Sequence, residues 1–352
     1  MRIQDVAKAA GVSVATVSRA LNKPGKVAAE TRARVEQAAD QLGYTPNASA
    51  RTLRTQRSKV IGVVLPTLLN PVFAECFEGI ASTAAAAGYA VQPFTTEYQV
   101  EREDRAVNSL LAGNADGVIL VVSNPARSSA LQRLVTARLP YVLAYNQHAK
   151  HPCVSVDNAA AVTRLIAHLT SLGHERIAMV SGQLQASDRA RQRYRGYRLG
   201  MKRAGHEELP LIEVPFVETA VQELATQLAN QPATERPTAL VSSNDLLAIR
   251  CIRAAHLAGL SVPEQLSVTG FDGIALGEDL TPMLSTIVQP NAEIGQRSVE
   301  LLAHAMASNA PLTAAASITL AHRFRTGESC AAAPPFKRSH NEKKTVGRKP
   351  SV

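Results

Sequence analysis

Two patterns of hydrophobic and polar positions divide the chain near residue 59. Before that point, short segments carry small or β-branched residues at helical spacing. After it, short continuous apolar runs alternate with longer helical stretches such as 71–87; the runs are 60–65, 116–122, 141–145, 176–181, 238–242 and 266–271. Apolar runs separated by helices predict parallel sheets in a doubly wound α/β fold.

The first sixty residues predict three helices. A short helix over 5–10 is broken at Gly11, and Ser13 is placed to cap a second helix over 14–21. A third helix is expected to open at Thr31 and to end at Gly43, with an inner face formed by Val35, Ala38, Ala39 and Leu42. Two short helices joined by a tight glycine-containing turn are the helix-turn-helix pattern.

Positive charge is concentrated at the two ends of the chain. Of the formal +9, residues 1–60 contribute eleven Lys or Arg against four Asp or Glu, residues 336–352 six against one, and the remainder 21 against 24. Composition alone leaves two interpretations of such basic segments, a solvated face or an electrostatic footprint for nucleic acid. The helix-turn-helix pattern inside the first segment favours nucleic acid.

The segments DVAKAAGVSVATVSRALN and ETRARVEQAADQLGYTPNASARTLRT resemble the headpiece and hinge of the lactose-repressor and purine-repressor family of transcription regulators. The resemblance runs without gaps over about sixty residues. It implies an all-α DNA-binding headpiece over 1–46, whose second helix enters the major groove, and a hinge helix or linker over 47–58.

The resemblance assigns DNA contacts to residues of the headpiece. Arg19 lies where a guanidinium donates two hydrogen bonds to a guanine, and Val14 and Ala15 lie where side chains face base edges. The alternative for Val14 and Ala15 is packing inside the headpiece. Small donors are assigned to the phosphate backbone, namely Ser13, Thr16, Ser18 and Asn22.

The hinge segment 47–54 has few apolar residues to bury and is predicted to be a marginal helix when free. In a dimer, two such helices pair in the minor groove, and Leu53 stands at the family's wedge position. The alternative is a linker leucine that rests on the core. The neighbouring Arg51, Arg54 and Arg57 favour the wedge, because guanidinium groups suit phosphates better than an apolar core.

The resemblance continues to about residue 329 through VIGVVLPTLLNPVFAECFEGI, DGVILV, VSVDN, LGHERIAMVSG, RQRYRGYRLG, PTALVSSNDLLAI and SVTGFDG. These segments are similar to the family's regulatory core, a periplasmic-binding-protein-like α/β fold of two Rossmann-like lobes. Three crossovers join the lobes, and we place them near Asp157, Gln289 and Ser317. The predicted core spans 59–329 and binds an effector between its lobes, at the carboxyl ends of the strands.

Six residues match the family's effector positions, namely Phe73, Asn146, Arg193, Asn244, Asp272 and Gln289. Asp272 and Arg193 offer a carboxylate and a guanidinium to hydroxyls or an acidic group, the amides donate and accept, and Phe73 offers an apolar face to a ring. Arg193 has competitors at 189, 191, 195 and 198 and is selected by its position before Gly196-Tyr197. Asp245 is expected to cap the helix that follows it.

Position 146 departs from the family pattern. Many relatives carry an acidic residue where this chain has Tyr145-Asn146. A neutral amide removes an acceptor for sugar hydroxyls and relaxes repulsion toward an anionic ligand. The effector therefore stays open between a sugar, which is the first expectation, and a sugar acid.

Other features narrow the class of protein. No G-x-S-x-G, H-E-x-x-H, P-loop or Rossmann glycine fingerprint occurs, so we expect neither an enzyme nor a cofactor. A transport binding protein would need an export signal and no DNA headpiece. The cysteines at 76, 153, 251 and 330 are too far apart for a disulfide framework or a zinc site, and no run of 18 apolar residues occurs. The expected protein is cytoplasmic, with no metal site and no membrane contact.

The C-terminal segment 330–352 is basic and lacks an apolar heptad repeat, so it is expected to be a disordered tail. Some relatives form tetramers through a C-terminal leucine heptad. Without one, the sequence predicts a homodimeric repressor whose binding to a palindromic double-stranded DNA operator is controlled by a small-molecule effector.

Overall fold

The structure is a computed structural model that describes residues 1–22, 24–44, 57–215, 220–308 and 312–335. It forms two compact units, Met1–Lys59 with Asn114–Asp116 and the remainder of the chain. Arg51, Leu53 and most of the predicted hinge lie outside the described residues, as does the tail beyond residue 335. Within the described ranges, no helix has both the length and the apolar composition needed to cross a bilayer.

The first unit contains three α-helices, α1 (Ile3–Ala10), α2 (Val14–Asn22) and α3 (Ala29–Gln41). Gly11 ends α1 in the left-handed conformation with a φ of +64°, as its position predicts. The Thr16 backbone N–H donates to Ser13 Oγ at 3.1 Å, which confirms Ser13 as the N-cap of α2. α3 begins two residues before the predicted Thr31.

Small side chains fill the core of this unit. Each helix buries alanines and valines on the face toward the other two, namely Val6, Ala7, Ala10, Val17, Ala20, Val35, Ala38 and Ala39. Leu42 is partly buried against this cluster. Because the side chains are small, the three helices approach closely, and the burial follows the predicted helical spacing.

The second unit has twelve strands, β1 (Val60–Leu65), β2 (Ala90–Thr95), β3 (Gly117–Leu120), β4 (Tyr141–Ala144), β5 (Cys153–Val156), β6 (Ile177–Gly182), β7 (Ile212–Val214), β8 (Ala239–Ser242), β9 (Ser267–Asp272), β10 (Ser285–Val288), β11 (Ile318–Leu320) and β12 (Arg323–Arg325). Its helices are α4 (Pro71–Ala86), α5 (Val100–Ala112), α6 (Ser129–Thr136), α7 (Asn158–Ser171), α8 (Asp188–Ala204), α9 (Val221–Asn230), α10 (Asp245–Leu257) and α11 (Asn291–Ser308). These counts refer to the described ranges.

The strands form two six-stranded sheets, one in each lobe. The first has the order β11-β5-β4-β3-β1-β2, and the second has the order β12-β10-β9-β8-β6-β7. All pairings are parallel except that of β10 with β12. Helices separate the parallel strands, so the predicted fold of two Rossmann-like lobes is confirmed.

The chain passes between the sheets three times. After β5 it enters the second lobe at Asp157, and after β10 it returns at Gln289, as predicted. The third crossover was expected near Ser317, and that position is wrong. Residues 318–320 pair with β5 in the first lobe, so the chain crosses only between Leu320 and Arg323.

Two glycines bring α4 and α11 together in the first lobe. A Cβ atom at Gly79 would lie 2.2 Å from the Ala292 carbonyl oxygen, and one at Gly295 would lie 2.2 Å from that of Cys76. Backbone therefore meets backbone, which no larger residue allows without a shift of the helices. This contact fixes the start of α11, two residues after Gln289.

The described core continues past residue 329. The Ala331 backbone N–H donates to Ser267 Oγ at 3.1 Å, and the Ala333 backbone N–H donates to the Leu172 carbonyl at 2.8 Å. His174 contacts the Ala331 carbonyl at 3.0 Å. Residues as far as Ala333 therefore belong to the second lobe, beyond the core boundary that the sequence predicted.

Candidate DNA-binding and effector-binding sites

α2 buries one face and exposes the other. Val17 and Ala20 are 0% and 2% exposed, whereas Val14 is 41% exposed and Ala15 and Arg19 are also exposed. Val14 and Ala15 are thus not part of the headpiece core, which removes the packing alternative for them. The exposed face presents two small apolar side chains and one guanidinium.

The small donors assigned to phosphate lie at the margin of this face. Ser13 Oγ and Thr16 Oγ1 are 2.9 Å apart in a hydrogen bond, and Thr16 and Ser18 are half-buried. The side chain of Asn22 lies outside the described residues, as do Arg51 and Leu53. Contact of these residues with DNA stays a prediction.

A cavity of about 390 Å³ lies between the two lobes of the core. Five of the six predicted effector residues line it, namely Phe73, Arg193, Asn244, Asp272 and Gln289. The other lining residues are Asn70, Val72, Tyr98, Tyr145, Ser187, Arg189, Ala190 and Ser243. It combines aromatic faces with converging polar groups, as small-molecule sites do.

The cavity lies at the carboxyl ends of the strands, where an α/β fold binds ligands. Asp272 is the last residue of β9, Gln289 follows β10, and Tyr145 follows β4. Asp272 has a φ of +126° and Tyr145 a φ of +64°, in the region that favours glycine. Such strained residues persist where the surrounding structure fixes them, and they cluster at binding sites.

Arg193 is held by several contacts of its guanidinium. Nε donates to Asn158 Oδ1 at 2.9 Å, and Nη1 donates to the Ser243 carbonyl and lies 3.4 Å from Asp272 Oδ1. The guanidinium carbon stacks 3.7 Å from the centre of the Phe271 ring. These contacts make Arg193 a rigid group that presents its remaining edge to the cavity.

Asp272 is the acceptor facing this guanidinium. Gln289 Nε2 donates to Asp272 Oδ1 at 2.8 Å, and Asn70 also donates to the carboxylate. Burial nevertheless raises the pKa of Asp272 to about 7, since Arg193 and the two amides offset only part of the desolvation cost and the nearby Asp245 adds to it. The carboxylate therefore titrates near neutral pH.

This raised pKa predicts a pH-dependent stability. The folded protein holds a proton on Asp272 between its ordinary pKa and about 7, so this residue makes stability fall as pH rises through that window. The wild type should lose about 2 kcal/mol more of its unfolding free energy than Asp272→Asn between pH 5 and pH 8. Urea unfolding at both pH values measures this difference. An equal change of unfolding free energy with pH in the wild type and in Asp272→Asn would contradict the prediction.

The structure gives the expected capping role of Asp245 to Asn244, which also lines the cavity. Asn244 Oδ1 accepts from the Leu247 backbone N–H at 2.8 Å and caps α10, so the prediction that Asp245 is the cap is wrong. Asp245 is fully buried and accepts from the backbone N–H groups of Gly273 and Ile274 at 2.7 and 2.8 Å. It thereby fixes the loop that follows Asp272, while Asn244 keeps its amide nitrogen for the cavity.

Asn146 does not line the cavity. Its amide is fully buried; Oδ1 accepts from the Val122 backbone N–H at 3.0 Å, and Nδ2 donates to the Val122 carbonyl at 2.8 Å. Nδ2 also donates to Asp188 Oδ1 at 2.6 Å, which joins the first lobe to the start of α8 in the second. The structure therefore places Asn146 behind the cavity wall, in contact with protein groups.

Eight of the lining residues were not among the predicted effector residues, and three of these, Asn70, Tyr98 and Arg189, show why. Asn70 is followed by Pro71, a helix-start signal that points to its capping role and not to the cavity. Tyr98 follows Glu97 in a turn where both have positive φ, and nothing in the sequence marks this turn. Arg189 was one of the competing arginines of α8, and the structure places it in the cavity with Arg193.

Two family models match the chain. Residues 2–47 match the bacterial regulatory proteins of the lacI family, and residues 166–330 match a periplasmic binding protein-like domain. The first match covers the three-helix unit, and the second covers most of the second lobe together with α11 and β11 of the first. They give independent support for both parts of the fold.

Curated relatives match across most of the chain. The HTH-type transcriptional regulator DegA of Bacillus subtilis (strain 168) is 33% identical over 299 residues, 83% of this chain and 88% of the relative. The HTH-type transcriptional repressor CytR of Escherichia coli (strain K12) is 34% identical over 305 residues, 85% and 88% of the two chains. The ribose operon repressor of the same organism is 32% identical over 309 residues, 86% and 92%.

Solved structures show the same architecture. The lac repressor dimer bound to operator and the anti-inducer ONPF superposes with a TM-score of 0.84 at 27% identity, covering 94% of this chain and 99% of that one. A LacI-family transcriptional regulator from Silicibacter pomeroyi superposes with a TM-score of 0.80 at 26% identity, with the same coverage.

The headpiece, the two-lobed core and the relatives all indicate the same family. These relatives are regulators and not enzymes. Because bacterial DNA lies in the cytoplasm, a regulator of this kind acts there, as the sequence predicts. The chain belongs to the lactose-repressor family and is a DNA-binding transcription regulator.

Proposed function

We propose that the protein is a repressor that binds a palindromic operator as a homodimer and is controlled by a small effector held between the lobes. The effector is a sugar or a sugar acid. The observation that carries the proposal is the convergence of Phe73, Arg193, Asn244, Asp272 and Gln289 on one cavity. They come from separate elements and supply an aromatic face, a buried ion pair and two amides, the groups that bind a hydroxylated ring.

The DNA-binding part of the proposal rests on α2 and on the relatives. Arg19, Val14 and Ala15 share its exposed face, and two relatives are named repressors. The lac repressor structure is described as a dimer bound to operator. We propose the same assembly here, with a headpiece over 1–46, a hinge over 47–58, a core from 59 to 333 and a basic tail after it.

Operator geometry tests this assembly. Two headpieces related by a dyad require two half-sites in inverted orientation, and paired hinges are expected to prefer a central C-G step, because pyrimidine–purine steps unstack easily. Selection of binding sites from random duplex DNA by the full chain should enrich palindromes centred on CG. Enrichment of direct repeats, or palindromes with no preference at the centre, would contradict the proposal.

Leu53→Ala tests the hinge. If Leu53 wedges into the central step, its loss should weaken operator binding by about tenfold, since part of the energy of the kinked complex is removed. The melting temperature of the free protein should stay within about 1 °C, because the leucine is not part of the core in this proposal. A large drop in melting temperature would instead place Leu53 against the core.

Asp272→Asn tests the effector site. The amide replaces the acceptor that faces Arg193, so sugars and sugar acids that change operator binding by the wild type should lose their effect. Operator affinity without effector should be unchanged, because Asp272 belongs to the core and not to the headpiece. Fluorescence anisotropy of labelled operator, titrated with effector, measures both. An unchanged titration would remove Asp272 from the site.

A further inference from the structure

The charged side chains that line the cavity are two guanidinium groups and one carboxylate. Arg189 and Arg193 lie one turn apart on α8, and Asp272 faces them from the end of β9. Arg189 and Arg193 are 6% and 7% exposed, so neither is a solvated surface arginine. Arg193 is paired with Asp272. Arg189 is paired with Asp188, which does not line the cavity, so Arg189 is the second cation among the lining residues.

The contacts of Arg189 leave part of its guanidinium for a ligand. Nη1 donates to Asp188 Oδ1 at 3.1 Å and to the Val122 carbonyl at 3.4 Å. Both hydrogen bonds use the same nitrogen atom. The group is thus oriented by the protein through Nη1, and because Arg189 lines the cavity, its other donors are the ones that can bind an effector there.

Asp188 is in turn held from two sides. Asn146 Nδ2 donates to Oδ1 at 2.6 Å across the lobes, and Gln192 Nε2 donates to Oδ2 at 3.3 Å. Asp188 is 5% exposed and does not line the cavity. Asn146, Asp188 and Arg189 therefore form a chain of contacts that runs from the first lobe, through a buried carboxylate, to a cavity cation.

We propose that Arg189 is a second guanidinium that binds the effector, and that the effector carries an acidic group, a carboxylate or a phosphate, on a hydroxylated frame. Asn146 and Asp188 are positioning residues that hold Arg189 and do not touch the effector. This inference rests on the proposed effector function of the cavity and narrows its ligand class.

The amide at position 146 fits this assignment. An acidic residue there would place a second carboxylate beside Asp188 and compete for Arg189, which would cancel its charge toward the cavity. The neutral amide holds Asp188 and adds no negative charge. Near neutral pH, Asp272 also opposes the two guanidiniums only partly, because burial raises its pKa to about 7. An oxyanion then gains charge-assisted hydrogen bonds from both arginines.

Matched probes separate charge from shape. D-glucose, D-gluconate, D-glucuronate and D-glucose 6-phosphate form one set, and D-galactose with D-galacturonate forms another. Binding to the full-length protein is measured by calorimetry, and the effect on labelled operator by anisotropy. We expect at least one acid to bind about tenfold or more tightly than its parent sugar. The phosphate and carboxylate probes show which acidic group is preferred.

Variants assign the preference to Arg189. Arg189→Gln should weaken binding of the acid about tenfold and binding of its parent sugar less than threefold. Asn146→Ala should lower the ratio of the affinity for the acid to that for the parent sugar, without abolishing binding of the parent sugar. Arg195→Gln, an exposed arginine of the same helix, is the matched control and should change neither. If circular dichroism shows that Arg189→Gln does not fold, the test is the ratio of affinities for the acid and its parent sugar in Asn146→Ala.

Each result decides between the two proposals. Equal binding of acids and parent sugars, or equal losses of both in Arg189→Gln, would overturn the acidic ligand class and leave the effector function standing. If no probe binds or alters operator affinity, the sugar-type effector function fails and this inference fails with it.

Discussion

Arg19→Ala is expected to weaken binding to the selected operator by about 1 to 3 kcal/mol, which is about 5-fold to 150-fold, and to weaken binding to random duplex DNA much less, by the electrostatic share of one charge. Arg19 is exposed on the face of α2 that also presents Val14 and Ala15. Those two side chains can only contact a thymine methyl or leave room. The direct readout of a G·C pair is therefore assigned to the guanidinium of Arg19.

The matched control is Arg34→Ala, an exposed arginine of α3 that removes the same charge from the headpiece. It should lower the affinity for specific and random DNA by the same factor. That factor is the electrostatic contribution of one positive charge, which decreases as the salt concentration is raised. Equal losses on both DNAs in Arg19→Ala would show that Arg19 binds phosphate only. Fluorescence anisotropy at two salt concentrations measures both variants.

The sequence predicts the headpiece well because its signals are local. Ser13 and Gly11 act at the ends of α2 and α1 through backbone groups only a few residues away. The apolar runs of the central strands are equally clear, since β1, β3, β4, β6, β8 and β9 are buried on both faces. The local sequence is enough to predict elements of this kind.

The peripheral strands have no local sequence pattern that predicts them. β2 lies at the edge of its sheet, with Gln92, Pro93 and Thr95 exposed, so its residues show no apolar run. β11 and β12 have three residues each and are defined by their partners in different sheets. The third crossover was misplaced for this reason, because no pattern in 317–325 separates the two strands.

The residues of the candidate site also fall into those that the sequence could predict and those that only the tertiary structure reveals. Residues near recognisable motifs, such as Arg193 and Asp272, were predicted and lie together in the cavity. Arg189 was not chosen, because nothing in the sequence separates it from the other arginines that competed with Arg193, and its burial beside Arg193 depends on the tertiary structure. Asn146 was chosen as a ligand group, but its contacts with Val122 and Asp188 depend on how the lobes meet.

The second large effect is expected for Asn146→Asp, which should lower the unfolding free energy of the core by about 3 to 5 kcal/mol at pH 8. The buried amide donates to Asp188 Oδ1 at 2.6 Å and to the Val122 carbonyl at 2.8 Å. An aspartate brings two carboxylates to this distance, so one must take up a proton, and the Val122 carbonyl loses its donor.

The sign of the pH dependence follows from that proton. In the folded variant the shared proton is held to a higher pH than in the unfolded chain, so folding takes up a proton above the ordinary carboxyl pKa. The penalty should be small at pH 5 and grow as pH rises toward 8. Asn146→Ala removes the hydrogen bond that lowers the pKa of Asp188 but adds no carboxylate, so its penalty should grow with pH less steeply than that of Asn146→Asp. Urea unfolding at both pH values compares the two variants.

The double variant Asn146→Asp with Asp188→Asn returns an amide and a carboxylate to the same place with their roles exchanged. It should recover a large part of the stability lost at pH 8, with a coupling of about 1 to 3 kcal/mol, although Arg189 then lacks its ion-pair partner. Additive losses, or equal and pH-independent penalties for Asn146→Asp and Asn146→Ala, would mean that the two side chains are apart in solution. The contact between the lobes, and the orientation of Arg189 that depends on it, would then have to be abandoned.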